Sequence, residues 1–301
     1  MPKKIITEEF KKVLFDFLDV QEKAANTDKP KLVLLIMANT HDKELSSGCV
    51  QDVKYVTKIF KKIASHSGFT YCALEISGDH YNGDNLKTGI TTIIPTVNDV
   101  IIFYYTGHGF CYANDITGRF PQLDMRHPDN NALYNNIDFI RKHTKNLHEI
   151  LQLLRLRGSR INIAIGDCCS SIIKDKRLSK SRFNIEVVEA SMGPEEKSVS
   201  KREFNSKKDY IDIVISATTP GQAAVTDLKK GSIFTKNFSK ALAAAIANIP
   251  KGEKYLPWHE LLKKSAELSN KEAKGYDIGD GKPGSQMANF EIFMEKVKFK
   301  N

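Results

Sequence analysis

Val100-Ile101-Ile102-Phe103-Tyr104-Tyr105-Thr106-Gly107-His108-Gly109 decides the reading of this chain, and Ile161-Asn162-Ile163-Ala164-Ile165-Gly166-Asp167-Cys168-Cys169-Ser170-Ser171 repeats its plan. Each is a short apolar run that breaks into small and reactive polar residues. Continuous apolar runs of this length are expected of strands buried on both faces of a parallel sheet. In open parallel sheets, sites form beyond the carboxyl ends of the strands, where both polar tails fall.

Working outward, Leu32 to Met37 is another continuous apolar run, and Tyr71 to Ile76, Ile211 to Ile215 and about Asn289 to Phe293 are further strand candidates. Helical spacing separates them. It runs over 49–64 through Val53, Val56, Ile59, Phe60 and Ile63, over about 85–94, through Leu147, Ile150, Leu151 and Leu154, over about 232–247, and again after Pro257. Phe10, Val13, Leu14, Phe17 and Leu18 predict an N-terminal helix over 8–20 that packs on the body and ends at Asn26-Thr27-Asp28-Lys29-Pro30. This alternation predicts an α/β fold with a mostly parallel central sheet of about six strands and helices on both faces. A length of 301 residues suits one such domain.

The bulk properties exclude more than they select. Hydrophobic content of 41% with 27% charged residues describes an ordinary soluble protein. The formal charge of +9 comes from 45 Lys and Arg spread along the chain, not gathered into a stripe, so a nucleic-acid-binding role ranks last. No stretch approaches the roughly 18 to 20 apolar residues of a membrane span, and Met1 to Thr7 leads into an amphipathic pattern, not a signal peptide. The expectation is a cytoplasmic protein without a membrane partner. Five cysteines, Cys49, Cys72, Cys111, Cys168 and Cys169, are odd in number, include a vicinal pair and lack zinc-site spacing. Reduced thiols in a reducing compartment follow.

The two polar tails bring a histidine and a cysteine to the ends of strands that can be neighbours, although 61 positions separate His108 from Cys169. A free thiol with a pKa of about 8.5 is little ionised at neutral pH, and an adjacent imidazole can take its proton. Glycines flanking His108 let a substrate backbone approach, and the amide of Gly107 or Gly109 is a candidate oxyanion donor. Taken singly, His108 reads as a loop histidine and each cysteine as a small buried hydrophobe. The pair, each member closing a buried strand, favours nucleophilic catalysis; spacing alone leaves open which of Cys168 and Cys169 attacks.

These residues resemble the caspase-like cysteine peptidases, metacaspases more than animal caspases, from about Lys31 to the C-terminus. Tyr104 to Gly109 is similar to the family's Tyr-Ser-Gly-His-Gly box, with Thr106 in the Ser place, and Asp167 to Ser171 to its Asp-Ser/Cys-Cys-His-Ser-Gly box. The resemblance implies a three-layer sandwich, His108 as catalytic base and Cys169 as nucleophile, with Cys168 at a variable position. The chain departs from the family just afterwards, where Ser170 replaces His and Ile172 stands in the place of Gly. Ser47-Gly48-Cys49-Val50-Gln51-Asp52 resembles the Gly-Cys-x-x-Asp segment, which assigns Cys49 and Asp52, with Asp167, to the pocket for the residue preceding the scissile bond. Two carboxylates in such a pocket attract Arg or Lys and reject an acidic side chain. Protein or peptide substrates with a basic residue before the cut are the expected partners. Ile215 to Ala223 is similar to the opening of the family's small subunit, and Gly231 to Thr235 continues the similarity into the next helix.

The resemblance divides 1–301 into a helical extension (1–30), a large-subunit-like part (31–173), a charged linker (174–208) and a small-subunit-like part (209–301). The linker carries ten Lys or Arg, including Lys176-Arg177, Lys201-Arg202 and Lys207-Lys208, and reads as a mobile connector open to self-cleavage. Many metacaspases use calcium, but in the polar stretch 111–143 the acids Asp115, Asp124, Asp129 and Asp138 are scattered. The expectation is therefore no metal and no cofactor, with calcium activation disfavoured. The rival reading, motivated by the Ser170 to Ile172 departure and by that long insertion, is a catalytically silent caspase-like module that binds partners.

Overall fold

The apolar runs form the strands they predict. The computed structural model describes residues 6–112, 119–126, 143–173, 209–249, 256–276 and 284–296. In chain order it contains α1 (Glu8–Ala25), β1 (Lys31–Ala38), α2 (Ser46–Ser67), β2 (Thr70–Ser77), α3 (Gly83–Thr92), β3 (Val100–Thr106), β4 (Gly109–Tyr112), β5 (Gln122–Asp124) and β6 (Thr144–Asn146). Then follow α4 (Leu147–Arg155), β7 (Ile161–Asp167), β8 (Ser171–Ile173), β9 (Asp209–Ser216), β10 (Thr226–Asp227), β11 (Gly231–Ser232), α5 (Ile233–Ala247), α6 (Trp258–Ala273) and β12 (Asn289–Lys296).

Six strands make the central sheet in the order β12-β9-β7-β3-β1-β2, parallel throughout except for β12, which runs antiparallel to β9. β1, β3 and β7 each lie between two strands and are covered on both faces, which is why their sequences are apolar without alternation. Odd and even positions serve different layers. Val33, Leu35, Met37, Ile101, Phe103 and Tyr105 meet α1, α3 and α4, while Leu32, Leu34, Ile36, Ile102 and Tyr104 meet α2, α5 and α6. This is a three-layer α/β/α sandwich. Strands from before the 174–208 linker (β7) and after it (β9) pair directly, so both parts of the chain share one sheet.

The carboxyl ends are level, with Ala38 opposite Thr106 and Thr106 opposite Asp167. β2 and β3 flank β1 on opposite sides, so the chain changes winding direction between β1 and β3. In open parallel sheets such a switch point is where sites form.

Two features depart from the sequence reading. Within the stretch read as a polar excursion, β4 and β5 belong to a second sheet of order β6-β5-β4-β8, which buries Phe110, Phe120, Leu123 and Met125. Strands of three or four residues carry too little periodicity to be seen in sequence. The mobile-linker reading of 174–208 and most of the 111–143 insertion lie outside the described residues.

A buried ion pair fixes how β1 starts. Lys31 Nζ lies 2.9 Å from Asp99 Oδ2, and the carboxylate also accepts the amides of Lys31 (2.6 Å) and Thr96 (2.7 Å). Asp99→Ala leaves the ammonium unpaired in the interior and is expected to cost about 3–5 kcal/mol of unfolding free energy in urea denaturation. Lys31→Met, which leaves both amide bonds to the carboxylate in place, is expected to cost less.

Candidate active site

The two polar tails run side by side. Thr106 pairs with Asp167 at the end of the central sheet, and Phe110 pairs with Ser171 where β4 and β8 begin, an offset of 61 in each case. His108 and Cys169 share that offset, so they occupy opposed positions on adjacent parallel segments. The segments approach so closely that a Cβ on Gly109 would collide with Cys168 Sγ and lie 2.6 Å from the Cys169 carbonyl oxygen. Glycine is required at this position by that approach.

The backbone of His108 is held from beneath. Its carbonyl accepts the Asp124 amide at 3.0 Å and the Tyr105 hydroxyl at 2.6 Å. Tyr105 and Tyr81, both fully buried, meet at their hydroxyls (2.9 Å) and also contact the Asp124 carbonyl. The small sheet that the sequence concealed thus sets the height of the histidine.

The His108 ring is partly exposed and its Nε2 lies 2.9 Å from Asp42 Oδ2, in the loop after β1. Cys169 is also partly exposed and its Sγ accepts the Ala224 amide at 3.3 Å. Among the described residues, no hydrogen bond joins that thiol to the imidazole. Burial raises the Cys169 pKa, the Ala224 amide opposes the rise, and the Asp167 charge adds to it. Cys168 is buried, with its thiol pushed well up by desolvation.

The carboxylates assigned to the specificity pocket come together below these tails. Asp52 and Asp167 are 1% and 4% exposed, so Asp52 is not the surface carboxylate a helix position suggests. Asp52 accepts the Thr106 hydroxyl at 2.9 Å and the Ser232 amide at 2.7 Å, while Asp167 accepts both the amide (3.2 Å) and the hydroxyl (2.5 Å) of Thr235. Thr106 also points at Cys49 Sγ, 3.5 Å away. Burial holds the Asp52 carboxyl well above its ordinary value, and the Asp167 charge pushes it further. Burial likewise raises Asp167. Cys49 is pushed up to about 12 by burial, so it remains neutral beside the Thr106 hydroxyl. Gly231, at φ +80°, crosses directly over the acid, where a Cβ would lie 2.5 Å from Asp52 Oδ1.

The structure also separates residues that the sequence left equivalent. The Gly107 amide donates to the Asp167 carbonyl at 3.4 Å, joining the two strand ends. Ser170, at the position where the resemblance places a His, is fully buried. It hydrogen-bonds the Thr218 hydroxyl (2.7 Å), and its amide and carbonyl bond the backbone of Gln222 and Gly221 (2.9 and 2.8 Å). A serine here pins the 216–222 loop to the cysteine segment.

Sequence reasoning did not single out Asp42, Thr235 or Ala224 as site residues. Asp42 carried one local signal, since an aspartate just ahead of a helix caps amides, and its Oδ1 takes those of Glu44 (2.8 Å) and Leu45 (2.9 Å). Its partner 66 positions away was not legible.

Of the four acids weighed for calcium, Asp124 is the one within the described residues, and its carboxylate is paired with the Arg126 guanidinium. Among the described residues, no group of three or more His, Cys, Asp or Glu is arranged to hold a metal ion, and no helix is long and apolar enough to cross a membrane. All five cysteines are free thiols.

The family model for the caspase domain matches residues 31–291 of the chain. Among solved structures, caspase-1 from Spodoptera frugiperda is similar, with 13% identity, a TM-score of 0.48, and coverage of 88% of this chain and 86% of that one. No curated protein sequence matches the chain.

Proposed function

The chain belongs to the caspase-domain family of cysteine peptidases, and on that premise we propose that it is an endopeptidase cleaving after Arg or Lys through Cys169 and His108. In this reading the Cys169 proton passes to the imidazole and the thiolate attacks the scissile carbonyl carbon. The C–N bond then breaks as His108 returns the proton to the leaving amine, and water hydrolyses the thioester. Opposed but unbonded side chains are compatible with this, because catalytic hydrogen bonds often tighten only when substrate is bound. With the Gly107 amide engaged by Asp167, Gly109 is the better oxyanion donor of the two glycines.

The observation that carries the specificity is the pair of desolvated carboxylates, Asp52 and Asp167, beside the Cys-His segment. A guanidinium or ammonium brings a countercharge that favours ionisation of the pair, whereas a substrate Asp would add further negative charge at a cost of several kcal/mol. Their oxygens are held by Ser232, Thr106 and Thr235, so the reading includes an opening step in which the β11 segment yields its hold on Asp52. The ten basic residues of 174–208 supply cleavage sites for self-processing of the metacaspase kind, and five free thiols suit a reducing compartment such as the cytoplasm.

Matched fluorogenic peptides ending in Arg, Lys or Asp, with and without calcium, test the proposal. Cleavage after Arg and Lys exceeding that after Asp by roughly a hundredfold or more is expected. Preferential cleavage after Asp overturns the basic specificity, and no cleavage by intact or linker-cut protein moves the assignment to a silent caspase-like module.

A further inference from the structure

We infer that Asp42 is a positioning residue for His108, holding the imidazole in the Nε2–H tautomer so that Nδ1 is the atom that takes the Cys169 proton. The inference rests on the peptidase reading of the site, in which His108 is the base.

Two hydrogen-bond facts fix the direction. Asp42 Oδ1 accepts the amides of Glu44 and Leu45, which locks the carboxylate in place at the end of the loop after β1. Its other oxygen, Oδ2, lies 2.9 Å from His108 Nε2. Those contacts and the neighbouring imidazole outweigh partial burial and hold the Asp42 carboxyl below its ordinary value, so it is an acceptor with no proton to give. The ring must then donate from Nε2, and the lone pair of a neutral imidazole lies on Nδ1. During attack the S–H bond breaks and an Nδ1–H bond forms, giving an imidazolium whose Nε2–H faces a carboxylate. In the next step that Nδ1 proton moves to the leaving amine. Asp42 never changes its proton count; it selects the tautomer and stabilises the cation, as the acid of a Ser-His-Asp triad does.

The geometry makes an unusual ordering of variants testable. In Asp42→Asn, the side-chain oxygen keeps the Glu44 and Leu45 amides, so the NH2 group is forced toward His108. The ring must accept there, its proton moves to Nδ1, and the base is lost. In Asp42→Ala the ring is free to take either tautomer, but the loop loses both amide bonds. A tautomer role therefore predicts that Asn lowers kcat more than Ala while Ala lowers thermal stability more than Asn. A merely structural role predicts the same order for both.

The expected result for Asp42→Asn is a fall in kcat of roughly 10²–10⁴-fold with KM held within about twofold. Nitrogen-15 spectra of histidine-labelled protein, with the His108 signal identified by its loss in His108→Ala, supply a readout that needs no substrate. Nε2–H in the wild type, changing to Nδ1–H in Asp42→Asn, supports the inference even if no peptide is cleaved, in which case only the peptidase reading fails. Nδ1–H in the wild type, or unchanged kcat in Asp42→Asn, overturns it.

Discussion

Cys169→Ala is expected to reduce peptide hydrolysis by roughly 10⁵-fold or more, to the background of the assay, with little change in thermal stability. The first part follows from the proposed mechanism, in which the Cys169 thiolate forms the thioester. The second follows from how little Cys169 is tied down. It is partly exposed, and its sulfur accepts one amide, from Ala224. The informative comparison is Cys168→Ala. That side chain is buried against Gly109, and its removal is expected to cost about 1–2 kcal/mol in denaturant unfolding while keeping most of the activity. Activity measured alongside stability in both variants separates nucleophile from packing residue within the vicinal pair. Loss of hydrolysis in Cys168→Ala with full activity in Cys169→Ala would reverse the assignment.

Asp52→Asn is expected to lower kcat/KM for Arg peptides by roughly 30- to 5,000-fold, the effect of about 2–5 kcal/mol when one partner of a desolvated charge pair is removed. Asn is the isosteric choice. One side-chain atom keeps the Ser232 amide as acceptor, and the other can donate to the Thr106 hydroxyl. Stability should move the other way. Burial and the Asp167 charge hold Asp52 above its ordinary value of 3.8, so between 3.8 and the raised value the folded state binds more protons than the unfolded state. Wild-type stability therefore falls as pH rises through that window, because the slope follows protons bound unfolded minus protons bound folded. In Asp52→Asn this decline should shrink, leaving the variant at least as stable as wild type at pH 8 while it binds Arg substrates worse. Equal kcat/KM for Arg peptides in the two proteins would remove Asp52 from the specificity pocket. A variant that loses activity together with stability at every pH would make Asp52 structural.

The sequence by itself determined the layers, the six central strands and the placement of the His108 and Cys169 segments at the strand ends. Those depend on short-range physics. An apolar run such as Ile101 to Tyr105 has no solvated face, helical spacing in 49–64 has one, and a polar tail on a buried strand can fall only at the end of the sheet. The opposition of His108 and Cys169 was legible for the same reason, since adjacent parallel strands of similar length end at the same level.

Only the tertiary structure decided what those residues touch. The bond from His108 to Asp42 joins groups 66 positions apart, and the contacts of Asp52 with Ser232 and of Asp167 with Thr235 span 180 and 68 positions. No local periodicity encodes such pairings, because they are set by how one loop folds over the end of a sheet built from other segments. The sheet of β4, β5, β6 and β8 was hidden because strands so short are stabilised by partners, not by their own pattern. Ser170 is the sharpest case. Its identity marks a departure from the family in sequence, yet a buried hydroxyl bonded to Thr218 shows that the position anchors the loop behind Cys169.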